Sequence, residues 1–123
     1  QELKGTSVNI ICDMTDTQGG ERGRKTMESM ENACKNFDMN IIESRHSDNF
    51  SDREAPLAEV DFLLTDSPSL FQLLHKPNVT RTNKKPLGVV CVCTDTLEKT
   101  AVETQLSRQF DILGWILEIV TQP

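Results

Sequence analysis

Val60-Asp61-Phe62-Leu63-Leu64-Thr65-Asp66 and Pro86-Leu87-Gly88-Val89-Val90-Cys91-Val92-Cys93 decide the fold of this chain. Both are short, near-continuous apolar runs bounded by polar or turn-forming residues. Such runs read as strands buried on both faces rather than as half-solvated ones. Val8-Asn9-Ile10-Ile11-Cys12 and the run ending at Ile119-Val120-Thr121-Gln122-Pro123 have the same character. Met39 to Glu43 supplies a fifth, shorter run.

Helical signals lie between them. From Glu21 to Phe37, the residues Met27, Met30, Cys34 and Phe37 recur at spacings that form one stripe of an amphipathic helix, with Glu28, Glu31 and Lys35 outside it. Ser67-Pro68 can open a second helix, Ser as cap and Pro at the first position, which buries Leu70, Phe71, Leu73 and Leu74. Thr96 to Gln109 reads as a third, and Phe110 to Ile116 is apolar enough to be partly helical. Ser44 to Glu59 and Lys76 to Lys85 are polar and read as connectors. The strands are expected at Asp61–Thr65, Leu87–Cys93 and Leu117–Thr121.

Strands alternating with helices imply a parallel sheet covered on both faces. Right-handed crossovers leave few topologies, and the flavodoxin-like order 2-1-3-4-5 in a three-layer α/β sandwich is the expected one. At 123 residues a single domain, 1–123, is expected. No helix follows the fifth strand, so the sequence reads as a segment of a longer protein.

Composition narrows the function. A net charge of −6 opposes a broad nucleic-acid footprint. No apolar run reaches the roughly 20 residues that a bilayer span needs. Of the four cysteines, Cys12, Cys91 and Cys93 sit in strand-like runs and Cys34 on the apolar helix stripe. They read as buried thiols of a reducing, cytoplasmic compartment. Cys91 and Cys93 share a strand face, but no further ligands cluster with them in the sequence for a structural zinc.

In a doubly wound sheet, reacting groups gather at the carboxyl ends of the strands. Here those ends carry Cys12, Asp13 and Asp16, then Asp66, then Cys93, Thr94 and Asp95, and finally Gln122. Clustered carboxylates suit Mg²⁺, and a carboxylate beside that metal can accept a phosphoryl group.

With Glu2-Leu3-Lys4-Gly5 ahead of the first strand, the chain resembles the receiver domains of two-component signalling, in particular those of hybrid sensor histidine kinases. The resemblance places the acidic pair on Cys12 and Asp13, the phosphoacceptor on Asp66, and the hydroxyl near Cys91 with Thr94 as a displaced substitute. It places the lysine before the last proline on Gln122, and it implies a cis Gln122-Pro123 bond. One acid is thus a thiol, the cation is an amide and the hydroxyl is shifted. Each lost electrostatic contact costs about 2.7–4 kcal/mol of transition-state stabilisation by analogy with oxyanion-hole deletions. The resemblance therefore implies a degenerate receiver that works in phosphorelay signalling by contacting a kinase core, a genuine receiver or a second copy of itself. Its vestigial site would be Asp13, Asp66, Thr94 and Gln122.

Two other readings remain open. In one, Asp16 restores the missing acid, Thr94 the hydroxyl, and Asp13 with Asp16 binds Mg²⁺ in an active atypical receiver. In the other, Gly19-Gly20-Glu21-Arg22-Gly23 forms a nucleotide or small-molecule loop, though it lacks the phosphate-loop spacings. Beside all three stands a plainer role for Asp66, the capping of the helix that follows it.

Overall fold

The computed structural model describes residues 3–13, 19–46, 60–74 and 86–121. The chain runs β1 (Ser7–Cys12), α1 (Glu21–Asn36), β2 (Asn40–His46), β3 (Phe62–Asp66), α2 (Ser67–Leu74), β4 (Gly88–Cys93), α3 (Thr96–Leu113) and β5 (Ile116–Thr121). The five strands form one parallel sheet in the order β2-β1-β3-β4-β5. This is the flavodoxin-like arrangement expected from the alternation of apolar runs and helical stripes.

Register distributes side chains to two faces. On β4, Val89, Cys91 and Cys93 are buried while Gly88, Val90 and Val92 are only partly so. The first set packs with Leu63, Leu70, Leu73, Val102, Leu106 and Phe110 beneath α2 and α3. On the other face Val8, Ile10 and Cys12 pack with Met30 and Cys34 of α1. Burying one Leu or Ile side chain contributes about 1.5–3 kcal/mol, so these two clusters outweigh any single polar contact. A doubly covered sheet explains why β1 and β3 read as continuous apolar runs. The alternation along β4 and the exposed Ile116 and Val120 of β5 mark where the α1 side is less covered.

Several boundaries differ from those expected. β2 continues through Ser44 and Arg45 to His46, because the strand pairs with β1 as far as Cys12 and so holds polar residues in a strand. A register shift between Val8 and Asn9 accompanies this pairing. Helix α3 extends to Leu113, where Gly114 stops it at φ 74°, a left-handed conformation that suits glycine. Helix α1 ends at Asn36, and Phe37, expected in the buried stripe, is 57% exposed. Ser67 is the first residue of α2 rather than its cap; the cap is Asp66. The Lys76–Lys85 connector and residues 47–59 of the Ser44–Glu59 connector lie outside the described residues.

All four cysteines are free and buried. Cys12 approaches Met30 with a sulfur–sulfur separation of 3.9 Å. No described helix is long and apolar enough to cross a membrane.

Candidate functional site

β1, β3 and β4 are adjacent and parallel, so their carboxyl ends lie side by side. Asp66 ends β3 and is 9% exposed. Its Oδ2 accepts the Asp13 backbone N–H at 2.9 Å, and its Oδ1 accepts the Ser69 backbone N–H at 3.1 Å. The second bond runs from the cap residue to the third helical position of α2, the geometry of an N-cap. One carboxylate therefore joins the end of β1 to the start of α2. Burial raises the pKa of Asp66 above its ordinary value, and bonds from Ser69 and Asp13 oppose that rise. The nearby Asp13 carboxylate adds a smaller upward push.

Thr94 lies in the bend between β4 and α3. Its N–H and its hydroxyl both donate to Glu98 Oε1, at 2.6 and 2.8 Å. Asp95 Oδ1 accepts the Glu98 N–H at 2.8 Å and caps α3. Asp95 and Glu98 form a variant of the capping box, in which the glutamate reaches one residue further back, to Thr94. Glu98 Oε2 also accepts the Ser67 hydroxyl at 2.5 Å. Arg22 Nη2 of α1 stands 3.9 Å from Glu98 Oε1. Glu98 thus ties together the starts of three helices. Its pKa is lowered: desolvation pushes it up, but the Ser67 and Thr94 bonds and Arg22 outweigh desolvation.

Of the residues expected at the site, Asp13 and Asp66 meet through the backbone of one and the side chain of the other. Thr94 is committed to Glu98. Cys91, at the position expected for the hydroxyl, is buried in the α2–α3 core, and desolvation pushes its thiol up. It offers no hydroxyl. Asp16, Gln122 and the Gln122-Pro123 bond lie outside the described residues.

Mg²⁺ fits the described donors poorly. Both Asp66 oxygens already accept backbone N–H groups. Among the described residues no three His, Cys, Asp or Glu side chains group as metal ligands. The glycine loop also has a structural role: Gly19 and Gly20 take φ of 70° and 84°, and Gly23 lies buried within α1. A groove of about 310 Å³ opens elsewhere, between α3 and β5, floored by Phe110, Trp115, Leu117 and Ile119.

Ser67, Arg22 and Glu98 were not among the residues expected at the site. Glu98 had a readable signal, an Asp three residues ahead of a Glu at a helix start. Ser67 and Arg22 join only through tertiary packing, which no local spacing encodes. Comparison of the chain with protein-family models, curated proteins and solved structures finds no match.

Proposed function

We propose that the chain is a degenerate receiver-like domain of a hybrid histidine kinase, acting in phosphorelay signalling through protein contact rather than phosphoryl transfer. The observation that carries the reading is the state of Asp66. A phosphoacceptor needs a carboxylate oxygen free to attack phosphorus, an adjacent cation and a metal. Asp66 instead uses one oxygen on Asp13 and the other on Ser69, so the carboxylate serves the fold. The hydroxyl of Thr94 serves Glu98. The parallel sheet and the carboxyl-end position of Asp66 support the receiver side of the reading; the committed donors support the degenerate side.

The partners in this reading are the kinase core or a genuine receiver of the same or another protein, or a second copy of the chain. Its compartment is the cytoplasm, a proposal supported by four buried free thiols.

The test is incubation of the chain with acetyl phosphate and Mg²⁺, read by intact mass. No phosphoryl adduct is expected under conditions that fully modify an active receiver run in parallel. Robust Mg²⁺-dependent modification at Asp66 overturns the reading. In the parent kinase, deleting the domain should change autophosphorylation, whereas Asp66→Asn within it should not.

A further inference from the structure

The two edges of the sheet differ. At β2 the pairing with β1 slips: Val8 pairs with Ile41, Asn9 pairs with Glu43, and Ile42 is passed over. A bulge of this kind turns an edge away from further pairing. β5 has a regular ladder to β4, and no described strand pairs on its outer side. The Ile116 N–H donates inward to the Leu87 carbonyl at 2.9 Å. Alternation along the strand therefore turns the N–H and C=O groups of Leu117 and Ile119 outward.

Side chains on both faces of that edge await cover. On the face away from α3, Ile116 and Val120 are 63% and 40% exposed and flank Glu118. On the α3 face the edge borders the groove of about 310 Å³. Leu117, Ile119 and the Phe110–Trp115 pair floor it, the two rings meeting edge to face at 5.9 Å. Lys99, Glu103, Ser107 and Asp111 recur every four residues along α3 and form its rim. With Glu118, the lining carries three carboxylates against one ammonium, and among the described residues none of these four groups is ion-paired.

We propose that the β5 edge and its groove bind a basic, apolar segment of another protein, which joins the sheet as a sixth strand. Main-chain bonds to Leu117 and Ile119 give such an addition its affinity, and side chains of alternate residues give it specificity. The occupant's apolar side chains cover Leu117 and Ile119 on one face and Ile116 and Val120 on the other. Its lysines or arginines meet Glu103, Asp111 and Glu118. Charge decides against a second copy. The two-fold antiparallel pairing that sets Ile116 beside Val120 and Leu117 beside Ile119 also sets Glu118 against Glu118, and like charges directly opposite are destabilising. It further brings together two acidic rims of a chain whose net charge is −6. The proposal does not depend on the state of Asp66, and its failure leaves the degenerate-receiver reading intact.

The experiment titrates the isotope-labelled 123-residue chain with a capped peptide of Lys-Val-Val repeats, read by amide resonances and hydrogen exchange. As a strand, this repeat places valine and lysine on both faces. Shifts should centre on β5 and the Glu103–Asp111 stripe. At saturation the outward amides of Leu117 and Ile119 should exchange at least about fivefold more slowly, a change that charge attraction without strand pairing does not produce. A Glu-Val-Val peptide should not bind, nor should the Lys-Val-Val peptide N-methylated at every valine. Glu103→Gln, Asp111→Asn and Glu118→Gln together should weaken binding about fivefold or more. Glu21→Gln, Glu28→Gln and Asp38→Asn together remove the same charge elsewhere and should leave it within about twofold.

Absence of β5 shifts at millimolar peptide overturns the proposal. So does equal weakening by the two triple variants, which reduces the contact to overall charge. Shifts without slowed exchange at Leu117 and Ile119, or unimpaired binding of the N-methylated peptide, overturn strand addition. Slowing of the same two amides with rising chain concentration, in the absence of peptide, makes a second copy the occupant and overturns the basic partner. If the groove triple variant does not fold, the two control peptides decide the outcome on the wild type alone.

Discussion

The Asp66 carboxylate accepts the Asp13 backbone N–H at 2.9 Å, and this bond closes β1 onto β3 beyond the last pair of their ladder, Ile11 with Thr65. Its other oxygen caps α2 at Ser69. Hydrogen bonds to a charged group contribute about 1.5–3 kcal/mol each, and losing a cap costs about 1 kcal/mol. Asp66→Ala is therefore expected to lower unfolding free energy by about 2–4 kcal/mol in urea melts. A change below about 0.5 kcal/mol, the range of ordinary surface substitutions, would remove the structural role assigned to this carboxylate.

The sheet order was legible because Leu63, Leu64, Val89 and Val90 sit in runs too apolar for a half-exposed strand. The capping role of Asp66 was legible too, since an Asp directly before a Ser-Pro helix start is a local signal. The convergence on Glu98 was not. It joins Arg22, Ser67 and Thr94 from three parts of the chain, and their meeting follows from strand order rather than from spacing. Phe37 misled for a related reason: it continues the stripe of Met30 and Cys34, but α1 stops at Asn36, and the turn carries its ring into solvent. The length of β2 was hidden because backbone pairing to β1 carries the strand through the polar residues Ser44 to His46.

The four thiols should be inert in the native protein. Cys12 and Cys91 have no exposed surface, and burial pushes both thiols upward, with Asp66 adding to the rise. The thiolate is the reactive species, so labelling requires opening of the core. A disulfide-exchange reagent at pH 8 should label none of the four within minutes and all four in guanidinium chloride. Rapid native labelling of even one would contradict the packing of the two core clusters.

Gly88 packs against the ring of Phe62. A Cβ built at Gly88 would lie 2.8 Å from Phe62 Cδ1 and 2.9 Å from Cε1, closer than carbon atoms can approach. The two residues are register partners on β3 and β4, so the ring must move if the site grows. Gly88→Ala should cost about 1–3 kcal/mol, the range for overpacking. In a Phe62→Ala background the same change should cost much less, because the obstructing ring is gone. A double-mutant cycle with no coupling beyond about 0.5 kcal/mol would show that the contact carries no strain.

Asp66 and Glu98 should bend the pH profile of stability in opposite senses. Burial raises Asp66 above its ordinary value of 3.8, so the folded state holds that proton to higher pH than the unfolded chain does. Stability from this group is fully present below the unfolded value and is lost as pH rises through the folded one. Glu98 lies below its ordinary value of 4.5, so its contribution is present above 4.5 and is lost as pH falls through the lowered value. Replacing Asp66 by Asn removes the first term. The stability of Asp66→Asn relative to wild type should therefore improve as pH rises from about 3.8 toward neutrality. Glu98→Gln removes the second term, so its deficit relative to wild type should shrink as pH falls below about 4.5. Urea melts of the three proteins between pH 3.5 and 7 measure both differences. A pH-independent offset for Asp66→Asn would mean that its bonds to Asp13 and Ser69 fully offset burial, and the carboxylate would then be as well stabilised in the fold as in water.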